Sequence, residues 1–209
     1  MKAMGILQMN RANQLPWYSD IQKSMNTVSQ HYSLGNEKHL MLYKCLQLLP
    51  DNPNIVELGV CHGATAIMLA DVANTLEGTY TGIDNWSLEG SREEVQQAFD
   101  KLGLVGDHIR LIQGSTHDPA LAQEYGKYDF LLIDAGHDEA NVRYDIWEWI
   151  SKRTTGDTKE GTLVAFDDYP ASVSKQDPHW AVREYADRAT EHWDLIAYWN
   201  GLMVRQYNG

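Results

Sequence analysis

A doubly wound α/β domain, with a seven-stranded, mostly parallel sheet and a C-terminal antiparallel hairpin, is the fold class the sequence predicts. Three observations predict it. Five short apolar runs alternate with segments whose apolar residues recur at helical spacing. The runs end in glycine or acidic residues, where a strand gives way to a loop. The chain then closes on two strand-like runs joined by Asn200-Gly201, a pair whose residues accept the positive φ angles of a type I′ hairpin turn.

In order along the chain, residues 1–30 are weakly patterned, with Pro16, Trp17 and Tyr18 in a polar background. Residues 33–49 predict a helix with Leu42, Cys45, Leu46 and Leu49 on one face, stopped by Pro50. Residues 1–49 are therefore expected to form an arm and helix serving as a lid or dimer contact, and residues 50–209 the main domain. IVELGV (55–60) is the first buried strand, followed by a helix face of Ala66, Leu69, Ala70 and Ala73. TYTGID (79–84) is the second strand, with Val95, Ala98, Phe99 and Leu102 on the helix after it. HIRLIQG (108–114) is the third, and Asp118-Pro119 reads as the cap and first residue of a short helix. YDFLLID (128–134) is the fourth, followed by Val142, Ile146, Trp149 and Ile150 on a helix face. GTLVAFDD (161–168) is the fifth. Pro178 then opens a helix with Val182, Tyr185, Ala186 and Ala189 inward, and WDLIAYW (193–199) and LMVRQY (202–207) form the hairpin.

Composition narrows the function. Lys+Arg number 17 against 29 Asp+Glu, a net charge of −12. Such a field repels phosphate backbones and anionic lipids, so neither nucleic acid nor membrane is an expected partner. No apolar run reaches the 18 or so residues that span a bilayer. Cys45 and Cys61 make neither a disulfide framework nor a paired metal site, and both are expected to be buried thiols in a reducing cytoplasm.

Ligands of doubly wound sheets bind beyond the carboxyl ends of the strands. Here those ends carry Glu57 with Gly59 and Gly63, then Asp84, Gly114-Ser115, Asp134 and Asp167-Asp168. Charges in such half-buried places need partners. Two glycines after the first strand let backbone approach a ligand, but the spacing is not G-x-G-x-x-G, and a carboxylate stands where pyrophosphate would want bare amides. Asp84 is placed to accept ribose hydroxyls. Asp134, Asp167 and Asp168 end what are read as neighbouring strands. Carboxylates converging there require a proton or a cation between them, and oxygen donors favour Mg²⁺, Mn²⁺ or Ca²⁺. His137, three residues beyond Asp134, is placed to take a proton.

The runs IVELGVCHGAT, YTGIDNW and IRLIQGS with the closing hairpin resemble class I S-adenosylmethionine-dependent methyltransferases, whose sheet is Rossmann-like. YDFLLIDAGHDEANVRYDIWEW and GTLVAFDDY narrow the resemblance to metal-dependent O-methyltransferases of the macrocin and mycinamicin sugar type, related to the cephalosporin-biosynthesis methyltransferase-like proteins. The resemblance implies S-adenosylmethionine as cofactor and a hydroxyl of a small-molecule acceptor, such as a sugar, glycoside or vicinal diol. It implies that Glu57, Gly59 and Gly63 shape the methionine pocket and that Asp84 binds the ribose. Asn85 and Trp86 would flank the adenine, with Ser115 at its edge and Asp134 facing the cofactor. Asp134, Asp167 and Asp168 would hold Mg²⁺, with His137 and Asp134 serving catalysis.

The remaining expectations concern side chains outside these motifs. Trp147, Trp149, Trp193 and Trp199 are expected in the core. Trp17, Tyr18, Tyr169 and Trp180 are candidates for an acceptor pocket. His117 and His179 read as surface-loop residues. A homo-oligomer is a possible assembly. Competing readings are a nicotinamide-dependent oxidoreductase, a nucleic-acid amino-methyltransferase and a non-catalytic module that binds S-adenosylmethionine. The absent dinucleotide fingerprint opposes the first. Asp-Ala-Gly-His after the fourth strand, in place of an Asn/Asp-Pro-Pro-aromatic motif, opposes the second. The intact acids oppose the third.

Overall fold

Seven strands build one sheet in the order β3-β2-β1-β4-β5-β7-β6 in a computed structural model that describes residues 36–152, 158–171 and 174–209. The expected arm with Trp17 and Tyr18 lies outside the described residues. α1 (Asn36–Leu46) precedes β1 (Asn54–Leu58), α2 (Ala64–Thr75), β2 (Thr79–Asp84), α3 (Arg92–Leu102) and β3 (Ile109–Gln113). α4 (Pro119–Tyr125), β4 (Phe130–Ile133), α5 (Glu139–Ile146), β5 (Leu163–Phe166) and α6 (Trp180–Ala189) follow. β6 (Asp194–Trp199) and β7 (Leu202–Gln206) close the chain. No helix among the described residues is long and apolar enough to cross a membrane.

The predicted order of elements is the observed one. β1 to β5 run parallel, and β7 pairs antiparallel with β5, Phe166 opposite Met203. The hairpin turns at Asn200 (φ 45°) and Gly201 (φ 84°), the left-handed pair that Asn-Gly supplies. One apolar layer packs α1, α2 and α3 on one face of the sheet, and a second packs α4, α5 and α6 on the other. α1 lies against β6, β7 and α2, with Leu42 and Leu46 fully buried. A boundary at residue 50 thus does not separate α1 from the core.

Several side chains depart from the sequence reading. Leu102 is exposed because Gly103 ends α3 in a left-handed turn and Leu104 takes the core position. α5 widens into a π-helical turn over Trp147–Ser151, so Trp149 is buried and Trp147 faces solvent. Trp193 is buried, but Trp199 is exposed because β6 is the sheet's edge. α6 starts at Trp180, two residues after Pro178, with His179 at its N-cap.

Candidate functional site

The chain reverses its direction of winding between β1 and β4, and a cleft opens there beyond the carboxyl ends of the strands. Its volume is about 870 Å³, inside the rough 300–1,000 Å³ range of ligand pockets. Parallel register aligns the strand ends: the Asp134 amide donates to Leu58 O at 2.8 Å and the Asp167 amide to Ile133 O at 3.1 Å. Gly59 has a φ of 89°, and a Cβ added there would lie 2.1 Å from the Asp134 carbonyl oxygen. Only glycine lets the two loops cross so closely.

Asp84 organises the first wall. Its Oδ2 accepts from the amides of Val60 and Cys61, each at 2.8 Å, and its Oδ1 from the Trp86 amide at 2.7 Å. A carboxylate offers about four acceptor positions, so roughly one remains for a ligand hydroxyl rather than a pair. Asn85, Ser115 and Asp134 line the cleft as well. Trp86 is not among the lining residues: its indole donates to Cys61 O at 3.0 Å, and Ser87 and the exposed Leu88 reach the cleft instead. Gly63 caps α2 behind the wall, where a Cβ would meet Val95. Cys61 is half-buried and lines the cleft, whereas Cys45 is buried as expected.

Glu57 lies beneath the cleft floor, 1% exposed, and accepts from the Tyr80 hydroxyl. Burial pushes its carboxyl well above the ordinary range, against the opposing pull of that hydrogen bond. The unfolded chain releases this proton at an ordinary carboxyl pKa while the folded chain keeps it, so stability falls as pH rises between the two values. Glu57→Gln keeps an acceptor for Tyr80 and has no proton to lose. It is expected to match wild-type stability within about 1 kcal/mol at pH 5 and to exceed it at pH 8. Urea unfolding of the ligand-free protein at both pH values checks this, and a parallel loss at both would contradict it.

The second wall carries the titratable groups. His137 Nε2 stands 3.6 Å from Asp134 Oδ1 and 3.4 Å from Asp168 Oδ2, buried and without a hydrogen-bond partner. Burial alone would lower the His137 imidazole, but Asp134, Asp168 and Asp167 outweigh it and raise it above the usual value. Burial pushes Asp134 up to about 7 against the pull of His137. His179, expected on a surface loop, brings its Nδ1 to 3.9 Å from Asp168 Oδ2, with its ring edge-on to that of His137 at 5.0 Å.

The three acids are not brought together as one ligand set. Asp167, 5% exposed, accepts at its Oδ1 from the Lys38 ammonium at 2.7 Å. Among the described residues, donor atoms within 4.8 Å of one another belong to His137, Asp168 and His179, and in a second group to Cys61, His62 and Glu89. Lys38 escaped the sequence reading because it has no local motif, and His179 was read there as a surface-loop residue. His117 was read the same way. It lines the cleft with its Nε2 3.5 Å from Asp145 Oδ1 and its ring 4.6 Å from that of Tyr144. Asp145 is fully buried, and burial pushes it up to about 6. Tyr169 is no pocket residue: it is buried, its hydroxyl donating to Asp187 at 2.8 Å. Trp180 packs half-buried against the second apolar layer.

Residues 56–169 match a family model described as a methyltransferase domain. No curated protein matches the chain significantly in sequence. Among solved structures, the S-adenosylhomocysteine-bound methyltransferase PaMTH1 of Podospora anserina aligns with a TM-score of 0.63 and 15% identity, over 93% of this chain and 89% of that one. A candidate caffeoyl-CoA O-methyltransferase from Staphylococcus aureus aligns with a TM-score of 0.63 and 15% identity, over 93% of this chain and 94% of that one. MycE of the mycinamycin pathway, in complex with Mg and S-adenosylhomocysteine, aligns with a TM-score of 0.60 and 14% identity. That alignment takes in 92% of this chain and 55% of MycE, so the chain spans about half of MycE. At such identities the likeness is one of fold.

Proposed function

We propose a function from the premise that this chain belongs to the methyltransferase domain family: it methylates a hydroxyl of a small molecule, with S-adenosylmethionine as the methyl donor. The observation that carries the reading is one cleft at the switch point with the Asp84 carboxylate on one side and the His137 imidazole between two carboxylates on the other. Asp84, Ser115 and the Gly59 loop would hold the donor, and the close crossing at Gly59 leaves backbone rather than side chains against it. S-adenosylmethionine, when bound, supplies a methyl group on a sulfonium, which an oxygen nucleophile displaces in line. The chain's own part is to dock the acceptor hydroxyl beside Asp134 and Asp168 and to receive its proton at His137 Nε2. Holding two reactants in line in a confined cleft supplies the proximity part of the rate.

An oxygen-only divalent-metal site on Asp134, Asp167 and Asp168 does not fit the residues as they stand, because the Lys38 ammonium sits on Asp167. No step is therefore assigned to a metal. The nicotinamide reading also loses ground. The amides of Val60 and Cys61, which a pyrophosphate would need, are taken by the Asp84 carboxylate.

Calorimetry with S-adenosylhomocysteine and NAD⁺, followed by transfer of labelled methyl from S-adenosylmethionine to a panel of sugars and vicinal diols, tests the reading. Binding of S-adenosylhomocysteine alone, with label in an O-methyl ether, is expected. Binding of NAD⁺ in its place, or label on nitrogen, would overturn it.

A further inference from the structure

We infer that Lys38 is the resident cation of the acid cluster, standing where the family resemblance put a divalent ion, so that this site holds its carboxylates without metal. Asp134, Asp167 and Asp168 follow the ends of β4 and β5, with His137 Nε2 3.6 Å from Asp134 and 3.4 Å from Asp168. Such a group is unstable without a counter-charge. Lys38 provides one from α1, 129 positions away in the chain. Its Nζ lies 2.7 Å from Asp167 Oδ1 and 3.8 Å from Asp168 Oδ1, and its side chain is 14% exposed.

The two cations exclude each other. A divalent ion ligated by the same Asp167 oxygen would sit about 2.1–2.5 Å from it. The ammonium already stands at 2.7 Å on that oxygen, so the two charges would be forced together in a partly dry site, where repulsion is strong. The donor atoms that lie within 4.8 Å of one another here belong to His137, Asp168 and His179. They are a mixed nitrogen and oxygen set, which Mg²⁺ does not favour. α1 packs on the sheet through Leu42 and Leu46, so the fold itself delivers the charge. Lys38 is a positioning residue here: it fixes and neutralises Asp167 and leaves Asp134 and Asp168 to His137.

Titration of Mn²⁺ followed by electron paramagnetic resonance tests this on the full chain. The wild type should leave the free Mn²⁺ signal unchanged up to about millimolar concentration, and Lys38→Arg should behave alike. Lys38→Gln should gain a site at least about tenfold tighter, since a repelling charge is removed, and Lys38→Gln with Asp167→Asn should lose it. Lys38→Met replaces Lys38→Gln if the latter does not fold. A stoichiometric Mn²⁺ site in the wild type overturns the inference, as does a neutral Lys38 variant that is folded and gains no site. S-adenosylhomocysteine binding, measured on the same samples, should be the same in all of them. It tests the methyltransferase reading separately, so the two can fail independently.

Discussion

Replacing His137 by alanine is expected to lower kcat by roughly 10²–10⁴-fold, the usual contribution of a positioned general base. Nε2 of His137 is buried between Asp134 and Asp168 with no hydrogen-bond partner. It is thus placed to accept a proton whose charge the two carboxylates stabilise. His137 contributes nothing to the Asp84 wall, so S-adenosylhomocysteine affinity should stay within about threefold of wild type. The pH profile should carry the sign of the shift. Asp134, Asp168 and Asp167 raise the imidazole above its usual 6.5 despite its burial, and His179 is the other titratable ring that faces it. The base must be deprotonated to act, so the wild-type rate should climb with pH through a value above 6.5, and the alanine variant should lose that limb. Steady-state kinetics over pH with calorimetry on both proteins is the check. A variant with wild-type turnover would return His137 to a purely structural role.

The second large effect is expected at Asp84. Its carboxylate holds the amides of Val60, Cys61 and Trp86, so Asp84→Ala removes the proposed ribose partner and frees the loop that lines the cleft. Hydrogen bonds to a charged group contribute about 1.5–3 kcal/mol each. A loss of S-adenosylmethionine affinity of about 100-fold or more should follow, together with lower thermal stability. Asp84→Asn, which keeps an acceptor oxygen but no charge, should fall between the two. Calorimetric titration and a melting curve of each variant separate the loop effect from the ligand effect. Unchanged affinity in Asp84→Ala would remove this residue from the donor site.

Much of the molecule was legible in the sequence for a local reason. Strand and helix periodicity, the Asn200-Gly201 turn and the Asp118-Pro119 cap depend on backbone stereochemistry within a few residues, and each appears where the sequence placed it. Local rules failed where a helix changed pitch or ended at a left-handed glycine. The widened turn of α5 sent Trp147 outward, and Gly103 stopped α3 before Leu102 could pack.

The site divides the same way. The sequence by itself determined which residues stand at the strand ends, because a parallel sheet always presents its carboxyl ends to one side. Glu57, Gly59, Asp84, Ser115, Asp134 and the Asp167-Asp168 pair were found there on that ground. What each carboxylate faces was decided by the tertiary structure alone. Sheet order and the packing of α1 and α6 brought Lys38 to Asp167 and His179 to Asp168, over 129 and 11 positions of chain. They also turned Glu57 down onto Tyr80 and Asp84 back onto its own loop. Charge pairing in a partly dry cleft depends on distances of a few ångströms between segments remote in sequence, and only packed layers fix those distances.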